Sequence, residues 1–305
     1  MVPHFTGLIA APHTPLRDDF SVNIDVVDRL AACMVRNGLA GAFVNGSTGE
    51  SMSLCVPERM TLAARWRDVC GKNLPVIIHV GHTSLVEAQT MAAHAQQIGA
   101  FGIAAMAPPF FKPATIEDLV AWCRRVASAA PALPFYYYHL PSLTGVNFPM
   151  VRFLELAKEA VPTLTGIKYT HGDLMDLLRC LQYEGGRFDI MFGQDEQLLA
   201  GLACGATAAV GSTYGYAAPL YRRIIDAHRA GDRVAAQRAQ LQSAELVALL
   251  IKYGPMGASK AIMKLTGVDC GPPRPPLKAL TAAQAEQLRA DLVRLGFFDY
   301  CCRTR

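Results

Sequence analysis

Thr163-Leu164-Thr165-Gly166-Ile167-Lys168-Tyr169-Thr170 decides how the chain is read. Leu164 to Tyr169 is a short, mostly apolar segment with β-branched and aromatic side chains, which predicts a strand. A strand apolar on both faces is covered on both faces, as in a parallel sheet sandwiched by helices. Lys168 stands near its C-terminal end. A lysine there loses much of its water, which disfavours the ammonium and lowers the pKa. The neutral amine is a nucleophile able to form a Schiff base with a ketone. The alternative for this segment alone is a lysine that snorkels to solvent from the rim of the sheet.

Seven further strand signals surround this one. Gly7–Ala11, Ala42–Asn45, Pro75–Val80, Gly102–Ala107 and Leu133–Tyr138 precede it; Phe188–Phe192 and Ala206–Gly211 follow. Helix signals alternate with them. Asn23, Ser84 and Thr115 are placed to cap helices over 24–37, 85–98 and 116–129. Pro57 opens another to Cys70, and further helices are expected over 149–160, 173–183 and 195–204. Eight βα units spaced by roughly 25–35 residues point to a parallel sheet closed into a (β/α)8 TIM barrel. An open doubly wound sheet is the runner-up, and no GxGxxG follows the first strand to support it. The expected organisation is a barrel over residues 1–218 and a helical extension over 219–305, packed on the barrel. The run Gly271-Pro272-Pro273-Arg274-Pro275-Pro276 lies between two of those helices and reads as a stiff spacer rather than a docking motif.

Composition narrows the function classes. The 305 residues are 51% hydrophobic and 18% charged, against roughly 25% charged in an average globular chain, which suits a large core. A net charge of +4 without a basic, aromatic-laced patch gives no reason to expect nucleic acid. Met1-Val2-Pro3-His4-Phe5 lacks a charged leader followed by an apolar run, and no stretch of about 18 apolar residues occurs, so neither signal peptide nor membrane span is expected. Nine cysteines without a CxxC pair fit reduced, mostly buried thiols of a cytoplasmic protein. No Cys/His cluster has ligand spacing, so no metal is expected; His79 and His82 read as packing or turn contacts.

In a (β/α)8 barrel the reactive side chains gather at the C-terminal ends of the strands. That rule collects Ser47 and Thr48 after the second strand, Tyr138 at the end of the fifth, Lys168 and Thr170 at the sixth, Gly193, Asp195 and Glu196 after the seventh, and Ser212 after the eighth. In Tyr136-Tyr137-Tyr138 the pleat puts Tyr136 and Tyr138 on one face and Tyr137 on the other. A phenol exchanges protons with an amine or alkoxide of similar basicity. The turn Gly46-Ser47-Thr48-Gly49 offers N–H groups and two hydroxyls to a carboxylate or phosphate, and without a P-loop lysine a nucleotide is not expected. Neutral lysine, tyrosine and carboxylate cradle together suit Schiff-base chemistry on a 2-keto acid, with no cofactor.

Three stretches, Gly46-Ser47-Thr48-Gly49-Glu50, Tyr136 to Gly145 (YYYHLPSLTG) and Gly166-Ile167-Lys168-Tyr169-Thr170, resemble in order and spacing the N-acetylneuraminate lyase and dihydrodipicolinate synthase superfamily. Its members are class I, pyruvate-dependent aldolases on a (β/α)8 barrel with extra C-terminal helices. The resemblance runs from about Gly7 to Phe297. It is closer to the lyase branch, the animal type in particular. Leu143 stands where the synthase has an arginine for its second substrate's carboxylate, and leucine makes no bidentate contact. Phe192-Gly193-Gln194-Asp195-Glu196-Gln197 matches the lyase segment that holds sugar hydroxyls. Gly211-Ser212-Thr213-Tyr214 and Gly257 to Met263 (GASKAIM) are also similar to the lyase.

The resemblance implies that Lys168 forms the Schiff base, that Tyr138 moves the proton, that Ser47 and Thr48 bind the substrate carboxylate, and that Thr170, Gly193, Asp195, Glu196 and Ser212 line the sugar pocket. The implied reaction is reversible cleavage of N-acetylneuraminate to N-acetylmannosamine and pyruvate by a homotetramer. Alternatives are an aldolase for 2-keto-3-deoxy sugar acids, or a barrel that binds keto acids or sugars without turnover. One departure concerns Phe110 and Phe111, in a loop where the synthase has a tyrosine reaching the neighbouring subunit's site. Phenylalanine relays no proton there, and the pair reads either as an interface contact or as core. His13, His139 and His171 flank the expected mouth without an assigned role, His139 being expected to point to the face opposite Tyr138.

Overall fold

The computed structural model describes residues 4–302; the first three residues of the leader reading lie outside them. Eight strands close into one all-parallel barrel in sequence order: β1 Gly7–Ala10, β2 Gly41–Val44, β3 Val76–His79, β4 Gly102–Met106, β5 Phe135–His139, β6 Leu164–Tyr169, β7 Asp189–Phe192 and β8 Ala208–Gly211. β8 pairs with β1 from Gly7↔Ala208 to Ala10↔Gly211, so no strand edge is left open. The helices between strands are α1 Val27–Arg36, α2 Val56–Cys70, α3 Leu85–Gln97, α4 Ile116–Ala127, the single turn α5 Pro141–Thr144, α6 Met150–Ala160, α7 Leu174–Gln182 and α8 Leu198–Ala203. After β8 come α9 Tyr214–Arg229, α10 Arg233–Tyr253, α11 Pro255–Leu265 and α12 Ala282–Arg294. Among the described residues no helix is long and apolar enough to cross a membrane. The nine cysteines form no disulfide among the described residues.

Local chemistry explains most boundaries. Ser84 Oγ accepts from Glu87 N, Thr115 forms a capping box with Asp118, and Asp173 accepts from Asp176 N. Asn23 makes no such bond; a 3-10 turn over Ile24–Val26 leads into α1 instead. The helix after β8 starts earlier than Pro219 would suggest. Ala217, at φ −130°, breaks the helical path just before the proline, which moves the carbonyl that the ring would strike. Two helices, α5 and α11, had no clear start signal beyond a proline at their first turn.

Two apolar layers result. Alternation along β5 sends Tyr136 and Tyr138 into the barrel with Phe43, Met106 and Met191, whereas Tyr137 faces outward and packs on Phe153 of α6, ring centroids 4.6 Å apart. The register Met106↔Tyr138↔Lys168↔Met191 puts four inward residues of β4 to β7 at one level.

The 271–276 run is more than a spacer. The guanidinium of Arg274 donates to both oxygens of Glu58 at 2.7 Å, to Ser53 O at 2.8 Å and to Phe20 O at 2.5 Å. It binds the loops after β1 and β2 to the chain's last third.

Gly166 carries the tightest strand contact: a Cβ there would collide with the carbonyl oxygen of Asp189 on β7. Gly166→Ala is expected to lower the unfolding free energy by about 3 kcal/mol or more, read as a lowered Tm. A loss below about 1 kcal/mol would show that β6 and β7 can part without cost.

Candidate active site

The alternation that buries Tyr136 and Tyr138 also turns Lys168 inward, leaving it 3% exposed. Its Nζ lies 4.0 Å from the ring centroid of Phe43 and 4.1 Å from that of Tyr138. Each ring face favours the ammonium by roughly 0.5–2 kcal/mol. Taking an ammonium out of water costs several kcal/mol, so burial wins: the Lys168 pKa is pushed down to about 7, with the nearby Asp195 carboxylate opposing the fall.

Asp195 does not offset more because its carboxylate is engaged elsewhere. Oδ2 accepts from Thr213 N at 3.0 Å, from Thr213 Oγ1 at 2.7 Å and from Ser212 Oγ at 3.4 Å. Behind it, the Tyr221 hydroxyl sits 2.6 Å from Thr213 Oγ1 and 3.0 Å from Ser243 Oγ, and Ser243 Oγ also reaches Asp195 O at 3.0 Å. Burial raises the Asp195 pKa, and the two Thr213 bonds hold it down. Asp195 is thus a pillar between β8 and α10 as much as a wall of the cavity. Thr213, Tyr221 and Ser243, which hold it, carry no signal in the sequence taken alone.

Tyr138 Oη stands 3.3 Å from Ser47 Oγ. Burial pushes the phenol up to about 12, tempered by the hydroxyls of Ser47 and Thr170. At neutral pH the site therefore pairs a protonated phenol with an amine poised between its two forms.

Ser47 and Thr48 ride on a turn bounded by two left-handed residues, Asn45 (φ +60°) and Glu50 (φ +56°). Glu50 N donates to Ser47 O at 3.0 Å and Thr14 Oγ1 to Gly49 O at 2.7 Å, which close the turn and tie it to the loop after β1. Gly193 is fixed by space: a Cβ would run into the Thr170 hydroxyl. Glu196 is half-buried, and burial, then Asp195, raise its pKa.

Thr48, Tyr138, Lys168, Thr170, Gly193, Asp195, Glu196 and Ser212 line one cavity of about 260 Å³ at the C-terminal ends of the strands. Ser47 lines an adjoining cavity of about 380 Å³ that shares Thr48 and Ser212 with the first. All nine residues collected from the sequence therefore meet in one mouth. What the sequence reading missed is the far wall: Val247, Leu250 and Ile251 of α10 and Pro255 of α11 line the first cavity too. Their i, i+3, i+4 spacing was visible, but it reads equally as packing on the barrel.

The histidines divide. His13 is 2% exposed, lines the second cavity and is pushed down to about 3 by burial and by Lys260, so it is neutral. His139 faces outward as expected, 5.2 Å from the Tyr169 ring and 5.4 Å from that of His171. His79 makes a turn contact, Nδ1 2.9 Å from Asn45 O, beside the buried guanidinium of Arg59, which donates to Gly81 O at 2.9 Å and His79 O at 2.7 Å. Phe110 and Phe111 are 76% and 84% exposed, stacked edge to face, and so are not core.

The dihydrodipicolinate synthetase family model matches residues 4–295. N-acetylneuraminate lyase of Gallus gallus is 42% identical over 300 residues, covering 96% of this chain and 97% of that protein. The lyase of Rattus norvegicus is 40% identical over 299 residues, covering 96% and 93%. Among solved structures, Proteus mirabilis N-acetylneuraminate lyase superposes with a TM-score of 0.94 at 41% identity, covering 97% of this chain and all of that one. With the same barrel and a match along nearly its whole length, this chain belongs to the dihydrodipicolinate synthetase family.

Proposed function

We propose that the protein is an N-acetylneuraminate lyase: a class I, pyruvate-dependent aldolase that reversibly cleaves N-acetylneuraminate to N-acetylmannosamine and pyruvate. The observation that carries the mechanism is the buried Lys168, its pKa lowered to about 7, facing Tyr138 and the Ser47–Thr48 turn. The substrate follows the relatives, which are lyases at 40–42% identity. It is supported by Leu143, which offers no charge to a second carboxylate.

In this reading the neutral Lys168 amine attacks the C2 keto carbon, and loss of water leaves a protonated Schiff base. The iminium draws electrons from the C3–C4 bond, which breaks as the C4 hydroxyl gives up its proton. Tyr138, held protonated, accepts that proton while passing its own to the substrate carboxylate. The enamine is then protonated at C3, and water releases pyruvate from the lysine. Ser47 and Thr48 hold the carboxylate through hydroxyls and turn N–H groups. Thr170, Gly193, Glu196 and Ser212 line the sugar chain's path, with Asp195 holding that wall in place. The protein on this reading is a homotetramer in which the exposed Phe110–Phe111 pair meets another copy, in a cytoplasmic setting that suits nine cysteines outside any disulfide.

Pyruvate release from N-acetylneuraminate is the direct test, alongside 2-keto-3-deoxygluconate. Release from the sialic acid, lost in Lys168→Ala, is expected; preferential release from the deoxy sugar acid would move the substrate. Borohydride should trap pyruvate on the wild-type chain and not on the variant. Tyr138→Phe is expected to cut kcat by roughly 10²- to 10⁴-fold while trapping persists, and an unchanged kcat would remove Tyr138 from the proton path. The pH dependence has a definite sign. Lys168 must lose a proton to attack, so kcat/KM rises with pH through about 7. A profile flat between about pH 6 and 9 would refute the lowered lysine.

A further inference from the structure

Behind the Ser47–Thr48 turn lies a buried ion pair that the chemistry above does not use. Lys260 Nζ, from α11, stands 2.7 Å from Glu50 Oε1, and the two side chains are 2% and 0% exposed. The second carboxylate oxygen, Oε2, accepts from Arg274 N at 2.7 Å, and Lys260 Nζ donates to Pro272 O at 2.9 Å. Both partners are thus fastened to the 271–276 run, which Arg274 fastens in turn to Glu58.

Burying two charges gains little stability against an apolar pair of the same size; its best-attested use is to fix one arrangement over others. What this pair fixes is identifiable. Glu50 adopts a left-handed backbone conformation, φ +56°, which a Cβ disfavours and which glycine would take freely. Its N–H closes the turn onto Ser47 O at 3.0 Å. A glutamate there keeps that conformation because its carboxylate is held from behind. The closed turn is the one from which Thr48 lines the cavity beside Lys168 and Ser47 lines the adjoining one.

We propose that Glu50 and Lys260 are positioning residues for the carboxylate cradle, so that affinity for the keto acid's carboxylate is set from α11 and the 271–276 run. The proposal rests on the reading that Ser47 and Thr48 bind that carboxylate. Lys168 stands on β6, and the rings against its Nζ, Phe43 and Tyr138, come from β2 and β5 rather than from the turn or α11. Loosening the pair therefore weakens capture of the carboxylate and leaves the amine's chemistry intact.

Borohydride trapping separates the two effects, because pyruvate has a carboxylate and acetone has none. In Lys260→Met the pyruvate concentration for half-maximal trapping is expected to rise roughly tenfold or more, while trapping by acetone stays within about twofold. In turnover the same variant should raise KM more than it lowers kcat. Equal losses with pyruvate and acetone, or no change with either, would overturn the proposal and leave the pair a structural element alone. Should Lys260→Met fail to fold, the double variant Glu50→Gln/Lys260→Met removes both charges and leaves no unpaired ion; the same ratio is read from it. Ser47→Ala, run in parallel, tests the underlying reading. If it leaves pyruvate trapping unchanged, the cradle assignment fails. If it weakens trapping and the Lys260 variants do not, only the positioning role fails.

Discussion

Keeping water off one amine is the constraint to which the rest of the structure answers. Lys168 loses its proton readily only while nothing replaces the hydration it gave up, neither bulk solvent nor a close carboxylate. The barrel meets the first condition by closing in register, so that Met106, Tyr138 and Met191 stand level with the lysine on adjacent strands. It meets the second by engaging the acid whose field reaches the amine. Asp195 is turned to the N–H and hydroxyl of Thr213, and its field reaches the lysine only as a partial brake.

The same burial sorts the titratable groups around the amine. The phenol of Tyr138 rises and the amine of Lys168 falls, for one reason with opposite sign, because burial disfavours whichever form carries charge. The hydroxyls of Ser47 and Thr170 temper the rise of the phenol without adding charge. His13 at the second cavity is neutral on the same grounds. Apart from half-buried Glu196 and the engaged Asp195, the walls of the mouth are built of uncharged donors, acceptors and apolar side chains, a surface suited to a polyhydroxylated ligand with one anionic end.

How much of this could be read from the chain depends on the range of the interaction concerned. The strands were legible because their cause is local. Runs such as Val76–His79 and Leu164–Tyr169 are apolar on both faces, and a turn or capping residue follows each. The nine residues of the mouth were legible because (β/α)8 topology turns sequence position into spatial position: a polar residue just after a strand stands at one rim. Asn23 misled because its side chain makes no capping bond, and a 3-10 turn over Ile24–Val26 opens the helix instead. The roof of the cavity was not legible. Val247, Leu250 and Ile251 form a stripe that would look the same against a barrel wall or over a cavity. Nor were the partners of Glu50 and Asp195, since nothing in a sequence announces which distant lysine or threonine meets a buried carboxylate. The Gly-Pro-rich run looked inert because its main contacts are made by a single arginine and by its own backbone.

The bond between Glu50 and Lys260 also orders events in time. On a ribosome all eight strands and the polar residues of the mouth, Ser47 to Ser212, are made before the α10 and α11 side chains that line it too. The glutamate at the end of the cradle still lacks its counter-charge, which leaves the ribosome some fifty residues later. A carboxylate buried without that counter-charge is costly, so the fixed shape of the turn depends on a segment that lies beyond the last strand. The groups that face the ligand and the group that steadies their turn thus come from separate parts of the chain, the second from α11 and the Arg274 run outside the barrel.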